Sequence, residues 1–578
     1  MNNLQIKKNP KVYDVCIVGS GAGGGMAAKV LTEAGAEVAM LEAGPDFDSS
    51  KGDMFKWPYQ SPRRGAPTHR PFGEFDACFG GWEIEGEPYT LKEGTKFDWF
   101  RARMLGGRTN HWGRISLRFG PLDFKRKSLD GLGDDWPLTY DDIKPYYDRV
   151  DELVGIFGTK EGIYNEPDGI FLPPPKPRGY ELMVKKACQE LDIPVIPSRL
   201  SILTKAHNGR AACHYCSQCN RGCSTHSNFS SPSVLIPPAK KTGKLDLITF
   251  AMAREVTTDN EGKATGVSYV NAVDGLEYHV KAKIVILAAS ACESARLLLN
   301  SKSSRHPNGL ANSSDAVGRY LMDSTGAGMG AIIPKLIDGI PHNEDGVGGM
   351  HLYIPWWLGD KKLDFPRGYH VEIWGGRTMP GYGFMGNFHK YNKILGELDG
   401  MARPNGGGGY GQQLKQDYRR MYGAMVGLEG RGEAIAMKDN RCTIDEEVVD
   451  KYGIPVLKFD YTWTDYEYKQ AKHMHDTFEE VLDTMGGIPL WEKPTKEQGY
   501  GLLNPGRIIH ELGVTRMGND PRTSVLNKYC QAHDVKNVFV ADGGPFVSQA
   551  DKNPTWTILA LSMRTSEYII DQMKQGNL

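Results

Sequence analysis

The stretch YDVCIVGSGAGGGMAAKVLTEAGAEVAMLEAG, residues 13–44, changes its residue pattern three times. Apolar, largely β-branched residues ending at Val18 read as a buried strand; a glycine-rich turn follows, then a helix of small residues, then a second apolar strand closing on Glu42. Each glycine of the series Gly19-x-Gly21-x-x-Gly24 has a mechanical task. Gly19 allows the tight turn, Gly21 lets the main chain approach a pyrophosphate, and Gly24 lets the helix pack on the strand. The helix N-terminus adds N–H donors and positive potential, and Glu42 stands where a ribose hydroxyl partner is expected. A glycine turn without a ligand does not call for strand, turn, helix, second strand and terminal acid in that order. The segment therefore reads as a dinucleotide site, for FAD or NAD, opening an α/β domain of Rossmann type.

Working outward, the chain has 578 residues, three or four domain lengths at roughly 150 residues each. With 40% hydrophobic and 24% charged residues it has the composition of an ordinary globular protein, and its 69 glycines suit many tight turns. The formal charge of −1, with both signs intermixed, leaves no electrostatic footprint for nucleic acid or an anionic membrane. The start MNNLQIKKNPKVYDVCIVG passes directly into a strand, so no signal peptide is expected. No run reaches the roughly 18 apolar residues of a membrane span.

A second stretch, CHYCSQCNRGCS (residues 213–224), gathers four of the ten cysteines. The others (Cys16, Cys78, Cys188, Cys292, Cys442 and Cys530) lie far apart and read as reduced core thiols. Four readings compete for Cys213, Cys216, Cys219 and Cys223. A disulfide framework lacks a pairing pattern elsewhere in the chain. Structural zinc usually needs two CxxC pairs a dozen or more residues apart. A redox CxxC would use only two of the four. The spacing C-x2-C-x2-C-x3-C is that of an iron–sulfur ligand run, although Ser224 stands where proline often follows. A 3Fe–4S cluster with one cysteine spare and a 4Fe–4S cluster using all four remain open.

Later segments resemble the glucose-methanol-choline (GMC) oxidoreductases, flavoenzymes that oxidise alcohols and sugars. These are FRARMLGGRTNHWGR (100–114), KAKIVILAASACESARLLLNS (281–301), VGRYLMDS (317–324) and the C-terminal run that starts HELGVTRMG at His510. The resemblance implies FAD rather than NAD. It also implies a Rossmann-like FAD-binding domain assembled from residues 1–120, 230–324 and 505–578. An α+β substrate-binding domain with a large sheet would take residues 121–229, with the cysteine-rich loop, and 325–504.

Oxidising an alcohol removes a hydroxyl proton and a hydride from the same carbon, so a base is needed beside the flavin, and histidine suits that task. By resemblance, His510 in HELGVTRMG takes that position, and Asn553 in KNPTWTI orients the hydroxyl oxygen. Gly106, Gly107, Asn110, Val256 and Asp542 join the flavin neighbours on the same ground. GGRTNHWG is similar to a segment of pyranose 2-oxidase whose histidine is bonded to FAD; His111 is then either covalently attached or packed against the flavin ring.

If the cysteines hold an iron–sulfur cluster, the two electrons of reduced flavin can leave singly to a protein acceptor. The resemblance is then to bacterial sugar dehydrogenases of glucoside 3-dehydrogenase type. Such an enzyme would act on a sugar or glycoside with a small chaperone-like subunit and a cytochrome acceptor as partners. It would be periplasmic through co-export with that subunit, or else cytoplasmic. The alternative is an oxygen-using pyranose or C-glycoside oxidase with structural cysteines. A flavin-binding protein without turnover would be expected to lack His510 or Asn553. Between residues 325 and 500, IPWWLGD (354–360) and VEIWGGRTMPGYGFMG (371–386) offer either sugar-stacking faces or core aromatics, and NGGGGYGQQ (405–413) either a linker or a lid.

Overall fold

A computed structural model describes residues 11–51, 79–217, 219–339, 346–377, 394–400 and 411–578. Cys78, most of NGGGGYGQQ and the second half of VEIWGGRTMPGYGFMG lie outside the described residues. Strand β1 (Val12–Val18) runs into the glycine turn, α1 (Ala22–Glu33) and β2 (Val38–Leu41). They join β3 (Leu245–Ile248), β4 (Ala251–Thr258), β5 (Ala264–Asn271), β6 (Glu277–Leu287) and a short strand at Val538–Val540 in a seven-stranded sheet. The order β4-β5-β6-β1-β2-β3 is parallel around β1, where Val15 pairs with Ile284 and Val38, and the short strand runs parallel to β6. Parallel strands are covered on both faces, hence the unbroken apolar runs Val15–Val18 and Ile284–Leu287, all buried. Helix α2 (Ala291–Asn300) packs on β4.

A six-stranded sheet carries the other wall. It is built on β7 (Thr325–Ile332), β8 (Leu352–Ile354), β9 (Tyr369–Gly375) and β10 (Met425–Gly432), with two-residue strands at Ile196–Pro197 and Ile488–Pro489 on its edges. All its pairings are antiparallel. One face packs on α3 (Asp465–Thr484): Val371, Ile373, Val426 and Leu428 meet Met474 and Phe478 in one buried cluster. Thr464 and Glu467 form a capping box at the start of α3. Trp356 and Trp357 of IPWWLGD pack beside this core, with ring centroids 5.1 and 6.0 Å from Tyr369, so the core-aromatic reading holds for them. No helix among the described residues is long and apolar enough to cross a membrane.

Candidate active site

A cavity of about 500 Å³ lies between the two sheets. Its nucleotide end is the glycine turn. Gly19 adopts φ +97°, and a Cβ there would sit 2.3 Å from the carbonyl oxygen of Ala288. Gly21 meets nothing nearer than the Gly106 carbonyl at 4.0 Å, which leaves its main chain open to the cavity. The third glycine of the motif packs as expected, with a Cβ on Gly24 placed 1.9 Å from the Gly19 carbonyl. The motif reading missed Gly23, which lets α1 approach the Ala541 carbonyl. Gly21 caps α1 without a side-chain hydrogen bond, so the first N–H groups of the helix are available to an anion. Glu42 is buried beside them; it accepts from the Ser20 hydroxyl and from Gly44 N at 3.0 Å, and burial pushes its carboxyl above the usual range.

The other expected flavin neighbours divide into lining and bracing residues. Gly107, His111 and Asp542 line the cavity. Asn110 instead ties the turn together by donating to Leu105 O at 2.8 Å and Gly107 O at 3.1 Å, and Gly106 N donates to Ser20 Oγ at 2.8 Å. Val256 does not line the cavity: its side chain is in the core, and the part of β4 on the wall is Ala251–Ala253. Asp542, pushed up to about 6 by burial, accepts from Ser294 Oγ at 2.6 Å and Gly544 N at 2.8 Å. Burial, aided by Arg114 and Arg108, lowers His111 to about 3, so its imidazole is neutral near pH 7; its ring lies edge-on to Phe100.

At the other end of the cavity His510 and Asn553 meet, with Nε2 3.5 Å from the amide nitrogen. Both line the cavity. Three contacts fix the histidine. Its N–H donates to Asp323 Oδ1 at 2.8 Å, Nδ1 lies 2.8 Å from Ser324 Oγ, and that hydroxyl accepts from Gln549 Nε2 at 2.6 Å. With Nδ1–H donated to Ser324, Nε2 is free to take a proton. Burial, then Arg431, lowers His510 to about 3, so the ring is neutral at working pH. Asp323 is itself pushed up to about 7 by burial and by Glu511, against the amides that bond it. Asn553 precedes helix α4 (Thr555–Lys574), and its buried Oδ1 has no hydrogen-bond partner.

Sequence reading also missed the charged residues of the sheet wall. Glu372 on β9 and Arg431 on β10 line the cavity with His510. The available signal was a strand, YHVEIWG, whose polar residues alternate with apolar ones.

The cysteine loop adjoins the same cavity. Asn220, between Cys219 and Cys223, lines it with Trp112 and Gly113, and Arg114 Nη1 lies 3.4 Å from Asn220 Oδ1. Tyr215, Ser217 and Gly222 have φ of +61°, +54° and +112°, so the chain folds tightly between the cysteines. Burial pushes the Cys213 thiol up to about 11, against the Tyr215 amide, and Cys219, Cys223 and Cys216 push the same way, which places the four thiols in one neighbourhood. Burial would also raise Cys223, but hydrogen bonds with Ser227 at 3.3 Å and Thr225 at 3.5 Å bring it below its ordinary range. The donor set suits iron–sulfur chemistry in kind. Even so, among the described residues no group of three or more His, Cys, Asp or Glu side chains is arranged to hold a metal ion, so the expected ligand set is not closed. The five cysteines expected to be core thiols within the described residues are free and buried.

The uncapped helix, the open Gly21 and a cavity of this size suit a flavin dinucleotide. Family models described as GMC oxidoreductase match residues 95–325 and 437–562. The chain is 28% identical to 2-methyl-1,2-propanediol dehydrogenase of Mycolicibacterium austroafricanum, over 96% of this chain and 95% of that protein. It is 27% identical to the fructose dehydrogenase large subunit of Gluconobacter japonicus, over 97% and 98%. The solved structure of formate oxidase from Aspergillus oryzae RIB40 shares the fold at a TM-score of 0.65 with 14% identity, over 98% of this chain and all of that one. With the glycine cradle and the two matched regions meeting at one cavity, the chain belongs to the GMC oxidoreductase family of FAD-dependent enzymes.

Proposed function

We propose that the protein oxidises a hydroxyl of a sugar or glycoside to a ketone or lactone, and that the electrons leave through an iron–sulfur cluster on Cys213, Cys216, Cys219 and Cys223 to a protein acceptor. The observation that carries the first half is the meeting of His510 and Asn553 at the cavity wall. FAD, when bound, supplies the hydride acceptor. His510 Nε2 takes the hydroxyl proton, and Ser324 keeps the ring turned so that this nitrogen faces the substrate. The Asn553 amide and the uncapped start of α4 favour negative charge on the substrate oxygen. The carbon gives up its hydrogen with the electron pair and the oxygen its proton, which leaves a carbonyl.

The second half is supported by the place of the cysteine loop, with Asn220 at the cavity wall and Arg114 beside it. A cluster held by those thiolates would supply one-electron transfer. The relatives named for fructose and for a diol support a polyol substrate, and the one named as a large subunit supports a protein partner. A small subunit and a cytochrome, with export beside that subunit, complete the reading.

The test is iron and acid-labile sulfide content in protein purified without oxygen, with EPR spectra before and after sugar is added. Stoichiometric iron whose signal changes with sugar is expected. Iron-free protein that keeps its flavin, and consumes oxygen with sugar when no dye is present, would replace the dehydrogenase by an oxidase with structural cysteines.

A further inference from the structure

The strands YHVEIWG (369–375) and MVGLEGRG (425–432) alternate, and their two faces have opposite character. Val371, Ile373, Val426 and Leu428 enter the core under α3. The alternate positions share the other face, because the register sets His370 opposite Arg431 and Glu372 opposite Glu429. Like charges directly opposite repel. Arg431 resolves the repulsion by pairing with Glu429 and lying 3.3 Å from Glu372 Oε2. On the neighbouring strand β7 the residues in register with Arg431 and Glu429 are Gly326 and Gly328, so that strand adds no side chain to this face.

Glu372 has a second brace. Its Oε1 lies 3.4 Å from His370 Nε2, while His370 Nδ1 lies 2.5 Å from the carbonyl oxygen of Asp551. His370 thus bridges the Glu372 carboxylate and the main chain of Asp551. Burial would raise Glu372, but Arg431 beside it holds the carboxyl well below the usual range, so it is ionised, and His370 ties it to the chain segment that presents Asn553. A carboxylate has about four acceptor positions; the two braces occupy two. The side chain keeps 17% of its surface exposed, and Glu372 lines the cavity together with Arg431, His510 and Asn553.

The charge balance narrows what fits there. A cationic substrate would meet Arg431, and an anionic one would meet the carboxylate. A neutral hydroxyl gives Glu372 the donor it lacks without disturbing either brace.

We infer that Glu372 is a specificity-determining residue: its carboxylate accepts a hydrogen bond from a hydroxyl next to the one being oxidised, which selects polyols with adjacent hydroxyls over alcohols with one. The inference rests on the reading of His510 and Asn553 as the oxidising pair. A charged acceptor left without its donor penalises a ligand that lacks the hydroxyl.

The experiment is anaerobic stopped-flow reduction of the flavin in the holoenzyme, with trans-cyclohexane-1,2-diol and cyclohexanol as matched probes. Wild type is expected to bind the diol more tightly. In E372Q the apparent Kd for the diol should rise by about tenfold or more, so that the ratio of diol to cyclohexanol Kd rises by a similar factor. Arg431 keeps Glu429 in that variant, and E372D, which retains the charge but withdraws it by one methylene, should show wild-type flavin content and an intermediate Kd. An unchanged ratio of diol to cyclohexanol Kd in E372Q overturns the inference, as does a wild type that binds the two probes equally. A wild type reduced by no alcohol at all overturns the oxidising-pair reading first, and the role of Glu372 with it.

Discussion

At the nucleotide end of the cavity Gly19, Gly21 and the start of α1 present main-chain atoms, whereas at the reacting end His510, Asn553, Glu372 and Arg431 present side chains. The first end is a shape that any added carbon spoils. The second is a set of donors and acceptors whose chemistry can be removed while the shape survives. The two ends should therefore fail differently: substitutions at the first should cost flavin, and substitutions at the second should cost turnover in protein that still holds flavin.

The largest effect that could break this contrast is at Gly23. A Cβ there would lie 1.5 Å from the Ala541 carbonyl oxygen, main chain that cannot swing aside. Gly23→Val is expected to purify with less than about a tenth of the wild-type flavin, read from the ratio of flavin to protein absorbance. A fully loaded variant would show that the helix can retreat and that the cradle is softer than argued here.

Next comes the proposed base. His510→Ala should keep its flavin and lose about 10²- to 10⁴-fold in the rate of flavin reduction by substrate. Loss of flavin instead would make the reacting end structural, like the other. Asn553→Ala should lose about 10²- to 10³-fold, with the greater part in the limiting rate rather than in Kd, because the amide acts on charge that develops during reaction.

The smallest effect concerns stability. Asp323 is raised by burial, and by Glu511, from its ordinary 3.8 to about 7, so the folded protein holds this proton more tightly than the unfolded chain. That contribution is complete below about pH 4 and is lost as pH rises toward 7, with an upper bound on the order of 4 kcal/mol. Relative to Asp323→Asn, wild-type Tm should therefore fall across that interval. Parallel Tm profiles for the two proteins would place the Asp323 carboxyl near its ordinary range and His510 on a different footing.

The same contrast explains what the amino-acid sequence made legible. Main-chain cradles announce themselves, because glycine favours a positive φ and alone tolerates so close an approach; the turn at Gly19–Gly24 was readable for that reason, and the acid at Glu42 by its place after the second strand. His510 and Asn553 were readable because the segments around them resemble a known family. The sheet wall was not. Whether Glu372 points into a cavity or into solvent depends on which strand lies beside it and in what register, and the pairing of Glu372 with Glu429 joins residues more than fifty positions apart. Val256 shows the opposite error, a residue on the right strand but beyond the stretch that reaches the wall. The cysteine spacing pointed to an iron–sulfur ligand run; positive φ values at Tyr215 and Ser217 show a tight loop there, but spacing alone does not fix how closely four sulfurs approach.

Gly23 rests on Ala541, β6 pairs with Val538–Val540, and the proposed oxidising pair stands at residues 510 and 553. At roughly 5–20 residues per second, the glycine turn is synthesised about half a minute or more before its last supports emerge. Until then the apolar strands of the first fifty residues have no finished sheet to enter. Flavin capture thus waits for the segment around residue 540, and a nascent chain halted before it offers chaperones and proteases a half-built sheet rather than a smaller enzyme.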